Sequence, residues 1–311
     1  MTGEGRPAGS AVAPAPHGIV VVDKPEGPTS HAIVGRARKA LGTRRVGHAG
    51  TLDPLATGVL VLGVGSATRL LGHLSGQGKE YLASIVLGIG TTTDDSQGDR
   101  VSAIGVHASE SDVEAAMSVW RGAVRQRPSA VSAVHVDGKR AHERVRAGED
   151  IELPERDVVI DAFDLLELTR GDIDGVPVTT IDVRVACSSG TYVRALARDI
   201  GASLGVGGHV TALRRTRSGD LTLDDACRPD DIGDAPLLSM GEVARRSMPW
   251  IEIDPSLVRS VVHGVRIPWP TGAPDTGTVA LLHDSVLLAL AESRSGVATY
   301  SAVFPPGLDP A

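Results

Sequence analysis

One carboxylate stands in a constrained stretch of the chain, residues 46–58, which reads VGHAGTLDPLATG. Asp53 lies between Leu52 and Pro54, and His48 precedes it in the same stretch. Pro54 favours an extended conformation at the residue before it, and the surrounding glycines permit turns. An acid held stiffly between apolar neighbours is suited to act as a nucleophile or base. Aspartate in a turn more often caps backbone N–H groups, and the spacing alone leaves both interpretations open.

Two tyrosines and an arginine are further candidates for chemistry. Tyr81 follows Lys79 in a predicted strand, and Tyr192 begins a predicted helix just before Arg194. An aromatic ring can stack on a nucleobase for about 1–3 kcal/mol, and a phenol can transfer protons. Both tyrosines also fit ordinary half-buried positions. A guanidinium beside Asp53 would keep that acid ionised, but Arg194 equally fits the surface of a basic helix.

Several other chemistries lack necessary residues. The run at residues 63–68 resembles a dinucleotide fingerprint, but Thr68 replaces the third glycine. The sequence holds no Walker A lysine motif, no nucleophile elbow at Ser188 and no zinc-deaminase signature. No metal-ligand spacing relates the histidines at positions 17, 31, 73 and 135. We therefore expect chemistry that uses neither a metal nor a cofactor.

The composition is typical of a soluble globular protein, with 41% hydrophobic and 22% charged residues in 311. Cys187 and Cys227 fit no disulfide framework, so we expect a cytoplasmic protein. No apolar run approaches the ~18 residues of a membrane span. Residues 1–17 are rich in Ala, Pro and Gly and are predicted to form a disordered tail.

The net charge of −7 argues by itself against a nucleic-acid partner. Basic residues nevertheless concentrate in three segments, 36–45, 121–146 and 194–217. If these segments meet, they form a polyanion-binding face; otherwise they are three separately solvated surfaces. The candidate RNA-binding residues within them are Arg44, Arg45, Arg127, Lys139, Arg140, Arg214 and Arg215.

Alternating apolar runs and helical stripes predict an α+β fold, a mixed β-sheet core flanked by helices, within residues 18–248. Residues 122–154 are rich in basic residues, include a short helix-like stretch at 140–147, and are interpreted as a protruding insertion. Short strands at 279–282, 286–291 and 297–303 predict a small β-rich domain over residues 249–311.

The sequence resembles the TruB family of tRNA pseudouridine synthases in several motifs. Residues 47–58 resemble the family's signature loop, and Lys79-Glu80-Tyr81 resembles the strand that supplies its active-site tyrosine. Similar motifs, in register across roughly residues 18–217, lie at 22–31, 87–95, 127–133, 187–194 and 208–215. Val131, His135 and Pro28 depart from residues common in the family, which affects the expected insertion contacts and not the catalytic assignment.

The resemblance implies cofactor-free conversion of the uridine at position 55 in the tRNA T-loop to pseudouridine. It implies that Asp53 is the nucleophile, acting on the base or through the sugar, that Arg194 pairs with it, and that Tyr81 stacks on the flipped base and transfers a proton. The remaining implied roles are uracil contacts from Tyr192 and Leu213, T-loop contacts from His48, and support of the pocket by Lys24.

Two alternatives remain open at this point. A guide-RNA-dependent pseudouridylase shares the signature loop, although the long insertion and the absence of a lysine-rich tail favour a stand-alone enzyme. A non-catalytic RNA chaperone would grip tRNA with the same surfaces, and chaperone activity could also accompany catalysis. Nothing in the sequence demands more than a monomer, so we expect a monomer that binds the tRNA T-arm without a protein partner. Position and strand pattern suggest a PUA-like C-terminal domain.

Overall fold

A computed structural model of the chain describes residues 16–130, 135–136, 139–140 and 153–304, the two short pieces as backbone only. The helices among these residues are α1 (Ser30–Ala40), α2 (Leu71–Ser75), α3 (Glu110–Ser118), α4 (Val193–Ser203), α5 (Met240–Ser247) and α6 (Pro255–Val262). The first strands are β1 (Gly18–Lys24), β2 (Val46–Ala49), β3 (Thr57–Val64), β4 (Lys79–Leu87), β5 (Gly90–Thr91), β6 (Arg100–Ser102), β7 (Gly122–Gln126), β8 (His135–Val136) and β9 (Lys139–Arg140). The later strands are β10 (Arg156–Ile173), β11 (Val176–Cys187), β12 (Gly208–Ser218), β13 (Leu221–Thr222), β14 (Ala226–Cys227), β15 (Trp250–Glu252), β16 (Val279–His283), β17 (Val286–Arg294) and β18 (Val297–Val303).

One large sheet dominates the described fold, in the order β14-β1-β3-β12-β4-β11-β10-β7, with β2 beside β3 and β13 beside β12. The pairs β1–β14 and β3–β12 are parallel, whereas β12–β4, β4–β11 and β11–β10 are antiparallel. This mixed sheet, with helices against it, confirms the predicted α+β class.

The centre of the sheet is covered on both faces, which explains why β3 is nearly continuously apolar. Leu60 and Leu62 point into a core shared with α1, α3 and α4. The alternating residues Val59 and Val61 point to the other face, where they pack with α5 and the C-terminal strands. Side chains alternate along a strand, so neighbouring residues of one segment serve two separate cores.

The C-terminal residues form a four-stranded sheet in the order β15-β16-β17-β18, which confirms the predicted β-rich domain. Helix α5 packs closely against the turn before β17, because a Cβ at Gly241 would lie 1.8 Å from the Ser285 carbonyl oxygen. Across the described residues, no helix is both long and apolar enough to cross a bilayer.

The predicted insertion at residues 122–154 begins inside the sheet. Gly122–Gln126 form the edge strand β7 and pair with the start of β10, from Arg156 to Ile160. Apolar runs at 158–168 and 178–187 predict the two strands of the following hairpin, and the observed strands extend closer to the turn. Asp174 and Gly175 adopt positive φ values there and join β10 directly to β11. Of the helix-like stretch at 140–147, residue 140 belongs to β9 and the remainder lies outside the described residues.

Candidate active site

The loop that carries Asp53 connects β2 to β3 and is clamped by residues near α1. The Ser30 hydroxyl accepts a hydrogen bond from the Leu52 amide at 2.8 Å and donates to the Leu52 carbonyl at 3.0 Å. The Lys24 ammonium donates to the carbonyl oxygen of Pro54 at 3.3 Å. These buried bonds satisfy backbone groups that a loop would otherwise expose, so the position of Asp53 is fixed by the fold.

Asp53 is paired with Arg194 from the first turn of α4. The Asp53 Oδ2 and Arg194 Nη2 atoms lie 2.9 Å apart, with the arginine side chain 5% exposed and the carboxylate 39% exposed. The other guanidinium nitrogen, Nη1, lies 3.2 Å from a carboxylate oxygen of Asp95 and donates to the Thr93 carbonyl at 2.8 Å. Arg194 therefore bridges two acids, of which Asp53 is the one open to solvent.

A cavity of about 250 Å³ lies above this pair. It is somewhat smaller than sites for drug-sized ligands, at roughly 300–1,000 Å³. Lys79 and Arg215 contribute to its wall. The cavity is also lined by five residues predicted to act in catalysis or uracil binding, namely Asp53, Tyr81, Tyr192, Arg194 and Leu213.

Burial perturbs the titratable groups around the cavity. The pKa of the Tyr81 phenol is raised by burial, and the nearby Arg215 guanidinium acts in the opposite direction. Burial also lowers the pKa values of Lys24 and Lys79 to about 8 each. Strongly perturbed groups around one cavity are typical of functional sites.

The comparisons with known proteins agree with this geometry. A family model described as "TruB family pseudouridylate synthase (N terminal domain)" matches residues 38–193, and one described as "tRNA pseudouridylate synthase B C-terminal domain" matches residues 194–261. The chain belongs to the TruB family. It is 46% identical over 93% of its length to tRNA pseudouridine synthase B of Streptomyces avermitilis, and 48% identical over 92% to that of Thermobifida fusca. These alignments cover 97% and 98% of the two relatives.

Solved structures with the same fold come from ribonucleoprotein complexes. An H/ACA RNP bound to a substrate RNA containing 2′-deoxyuridine holds a chain that matches with a TM-score of 0.69 and 26% identity, covering 94% of this chain and 87% of that one. A Cbf5–Nop10–Gar1 complex gives a TM-score of 0.69 at 27% identity, covering 93% and 85%.

The backbone of Tyr192, which lines the cavity, is anchored by a side chain of β7. The buried Gln126 side chain accepts from the Tyr192 amide at 2.8 Å and donates to the Tyr192 carbonyl at 3.0 Å. The Arg156 guanidinium lies over the Tyr192 ring, 5.6 Å from its centre. Strand β7 thus positions an aromatic side chain on the cavity wall.

Two residues given substrate roles by the TruB resemblance are absent from the lining residues of the cavity. Lys24 is fully buried beneath the Asp53 loop, where its ammonium hydrogen-bonds to backbone carbonyls. His48 packs edge-on against His31 with ring centres 5.6 Å apart. Its buried Nδ1 atom has no hydrogen-bond partner among the described residues. Burial, His31 and Arg215 all lower the pKa of His48, which favours a neutral ring.

Arg214 and Arg215, both predicted to bind RNA, have different environments. Arg215 is 1% exposed and donates to the carbonyl oxygens of Val59 and Gly50, so it is not a surface contact for phosphate. Arg214 is half-buried and forms a two-pronged pair with Asp23 at 2.8 and 3.0 Å. Alternation along β12 sends the two side chains to opposite faces of the sheet.

The other predicted RNA-binding residues lie at the surface or outside the described side chains. Arg44 and Arg45 are exposed at the end of the α1–β2 connection. Arg127 is exposed and lies 3.7 Å from Glu155. The side chains of Lys139 and Arg140 lie outside the described part of the chain.

Two residues that position Asp53 and Arg194 have no predicted role in the site. Asp95 was part of a motif with no assigned role, yet its buried carboxylate contacts Arg194. The sequence leaves either Thr29 or Ser30 as the cap of the helix that follows. Thr29 caps α1, and the hydroxyl of Ser30 instead clamps the Asp53 loop. The apolar run after Ser30 placed it at a helix start without revealing its partner 22 positions away.

Glu252, His283 and Asp284 bring possible metal-ligand atoms within 4.8 Å of one another. They lie at the β15 and β16 ends of the C-terminal sheet, and none of them lines the cavity of Asp53.

Proposed function

We propose that this chain converts a uridine of tRNA, at position 55 of the T-loop, to pseudouridine. The observation that carries the proposal is the Asp53 carboxylate, held by buried Arg194 at the edge of a small cavity in the signature loop of the TruB family. The names of the relatives, tRNA pseudouridine synthase B, support the substrate. We further propose that the protein acts as a monomer.

The proposed reaction is an isomerisation and has no net redox change. The bond between N1 of uracil and C1′ of ribose breaks, the ring turns, and C5 bonds to C1′. One proton leaves C5 and one is gained at N1, so the atoms balance without a co-reactant. Asp53 supplies the nucleophile, at the base or by way of the sugar, and the chain's own side chains suffice for the remaining steps.

Tyr81 and Tyr192 provide the contacts for the flipped base. Removing a base from its stack costs a few kcal/mol, and stacking on an aromatic ring returns about 1–3 kcal/mol. Tyr81 lies at the cavity wall beside Asp53, so it is placed both to stack and to transfer a proton. Exposed Arg44, Arg45 and Arg127 supply phosphate contacts to the T-arm, and His48 helps to hold the flipped-out loop.

Guided modification is the main alternative, because the solved structures with the same fold come from ribonucleoproteins. Their identity to this chain is 26–27%, whereas the tRNA pseudouridine synthase B relatives reach 46–48% over nearly the whole chain. We therefore favour direct action on tRNA. A tRNA-folding role would use the same binding surface and can accompany catalysis.

The test is incubation of purified protein with an unmodified tRNA transcript, followed by measurement of pseudouridine at each position. We expect product at position 55 without any guide RNA, and none in a transcript with cytidine at that position. Product that appears only after addition of a guide RNA would overturn the proposal. Accelerated tRNA folding without product would favour the chaperone alternative.

A further inference from the structure

Arg215 is a buried cation that the proposed mechanism leaves without a role. Its side chain is 1% exposed, although a guanidinium remains protonated in proteins. Its Nε donates to the Val59 carbonyl at 2.7 Å and its Nη2 to the Gly50 carbonyl at 3.0 Å. The ion pairs found among the described residues include Arg194 and Arg214 but not Arg215. A buried charge is costly unless it is paired and hydrogen-bonded, and the two carbonyls leave the charge of Arg215 without an acid beside it.

The group that faces Arg215 is the phenol of Tyr81. The two residues are direct cross-strand partners in the antiparallel β4–β12 pair, so their side chains lie on the same face. Both side chains line the cavity, and the Arg215 guanidinium acts to lower the pKa of the phenol. On the other side of β12, Gly58 of β3, with φ of +97°, lets the two strands pack closely, because a Cβ there would lie 2.1 Å from the Arg215 carbonyl oxygen.

We propose that Arg215 is a positioning residue for Tyr81, which holds the phenol at the cavity wall and stabilises its ionised form during proton transfer with uracil. The proposal rests on the proposed function. It replaces the prediction that Arg215 contacts RNA phosphates with a role inside the active site.

The proton transfer balances without a change of charge on Arg215. The Tyr81 phenolate oxygen takes the proton from C5 as the C5–H bond breaks and its electron pair returns to the ring. N1 of the ring then takes up a proton from the phenol, which restores the phenolate. Arg215 stays protonated throughout and compensates the negative charge while it resides on the phenol oxygen.

Among the groups that shift the pKa of Tyr81, the Arg215 guanidinium favours the phenolate. Burial disfavours the phenolate, and the Cys187 thiol and the Asp53 carboxylate act in the same direction on the pKa of Tyr81. The Asp53 charge is itself paired with Arg194. The titratable and charged groups facing the phenol are Lys79 on β4, Cys187 on β11, Arg194 on α4, Asp53 in its loop and Arg215 on β12.

Direct titration of the phenol tests the coupling without RNA. The chain has three tyrosines, so protein labelled with ¹³C at the tyrosine Cζ gives few signals, and Tyr81→Phe assigns one of them. We expect Arg215→Met to raise the ionisation midpoint of Tyr81 by at least about one pH unit, and Arg215→Lys to raise it less. Arg214→Met, on the opposite face of β12, is the matched control and should leave the midpoint unchanged.

The pH dependence of single-turnover isomerisation supplies the second readout. We expect the alkaline rise of the rate to move to higher pH in Arg215→Met, and Tyr81→Phe with Arg215→Met to lose no more activity than Tyr81→Phe alone. Equal loss at every pH, with an unchanged Tyr81 midpoint in folded protein, would show a merely structural role and overturn the proposal. If Arg215→Met does not fold, Arg215→Lys decides by the same criteria. If wild type makes no pseudouridine, the proposed function fails, while the RNA-free titration still tests Arg215.

Discussion

The cations of this protein fall into two groups that the sequence does not distinguish. In the interior, the whole residues Lys24, Arg194 and Arg215 are at most 4% exposed and have defined hydrogen-bond partners. Along the segment 36–45 the arginines and lysine are exposed, and the Arg36–Asp230 pair is long, at 3.6 Å. Basic residues in this chain therefore serve two purposes: the buried ones position neighbouring groups, and the exposed ones are available for surface contacts.

The interior cations are tolerated because each replaces water with fixed partners. Lys24 and Arg215 donate to backbone carbonyls, and Arg194 contacts two carboxylates. Breaking such a buried arrangement leaves a charge or a carbonyl without a partner, which is costly. Exposed pairs contribute about 0–1 kcal/mol and tolerate substitution. The effects of substituting interior and exposed cations should therefore differ in kind as well as in size.

The largest expected effect comes from substitution of Asp53, the acid paired with buried Arg194. Asp53→Asn keeps the shape of the side chain and removes the nucleophilic carboxylate. We expect product formation on tRNA transcript to fall by at least roughly 1,000-fold, while tRNA affinity changes less than about threefold. Single-turnover formation of pseudouridine and filter binding measure the two quantities. Undiminished product from Asp53→Asn would exclude Asp53 as the nucleophile.

The second test compares buried Lys24 with exposed Lys39 through the pH dependence of stability. The pKa of Lys24 is lowered by burial to about 8, below its value in the unfolded chain. The unfolded state therefore binds more protons between about pH 8 and pH 10.5. The destabilisation from the buried charge is full below pH 8 and disappears as pH rises through this window.

Relative to Lys24→Met, wild-type protein should thus gain up to roughly 3 kcal/mol in unfolding free energy from pH 8 to pH 10.5. Denaturant unfolding at several pH values measures this difference. Lys39→Met, on the exposed face of α1, is the control and should show no comparable trend. A constant difference between wild type and Lys24→Met across the window would contradict a lowered pKa for Lys24.

Local signals explain why much of the fold was predictable from sequence. Apolar runs at residues 58–65, 79–88 and 178–187 predict β3, β4 and β11, and a helical stripe at 192–204 predicts α4, each close to its observed bounds, because burial imposes periodicity on each segment. The start of the insertion was misplaced because β7 is an edge strand whose pairing partner, β10, is some 30 residues away. Pairing with a segment so far along the chain gives the edge strand no distinctive local sequence pattern.

The site was predictable only where residues carried a family motif. Asp53, Tyr81, Tyr192, Arg194 and Leu213 do line one cavity, as the resemblance implied. The environments of Arg214 and Arg215 were not predictable from charge, since neighbours on a strand face opposite sides. Their difference depends on the β3–β12 pairing, which brings together residues more than 150 positions apart.

Asp95 and Asp94 offer a third test, because neighbouring acids contact arginines one turn apart on α4. Asp95 lies 3.2 Å from buried Arg194, whereas Asp94 lies 3.3 Å from the more exposed Arg198. We expect Asp95→Asn to slow single-turnover isomerisation by about 10–100-fold by loosening Arg194. Asp94→Asn should change the rate at saturating tRNA by less than about threefold. Equal losses of the single-turnover rate in both variants would show that the acid beside buried Arg194 contributes no more than the acid beside the more exposed Arg198.

The smallest expected effect belongs to the exposed arginines at positions 44 and 45. If they contact T-arm phosphates, replacing either with alanine should weaken tRNA binding several-fold and reduce the slope of log K against log salt by roughly 0.7–0.9. The single-turnover rate at saturating tRNA should not change, since neither residue lines the cavity. Arg36→Ala, at the opposite end of the same segment beside Asp230, is the matched substitution and should leave the slope unchanged. The slope depends on the number of phosphates that the protein contacts. An unaltered slope in Arg44→Ala and Arg45→Ala would therefore place the RNA elsewhere, even if affinity fell.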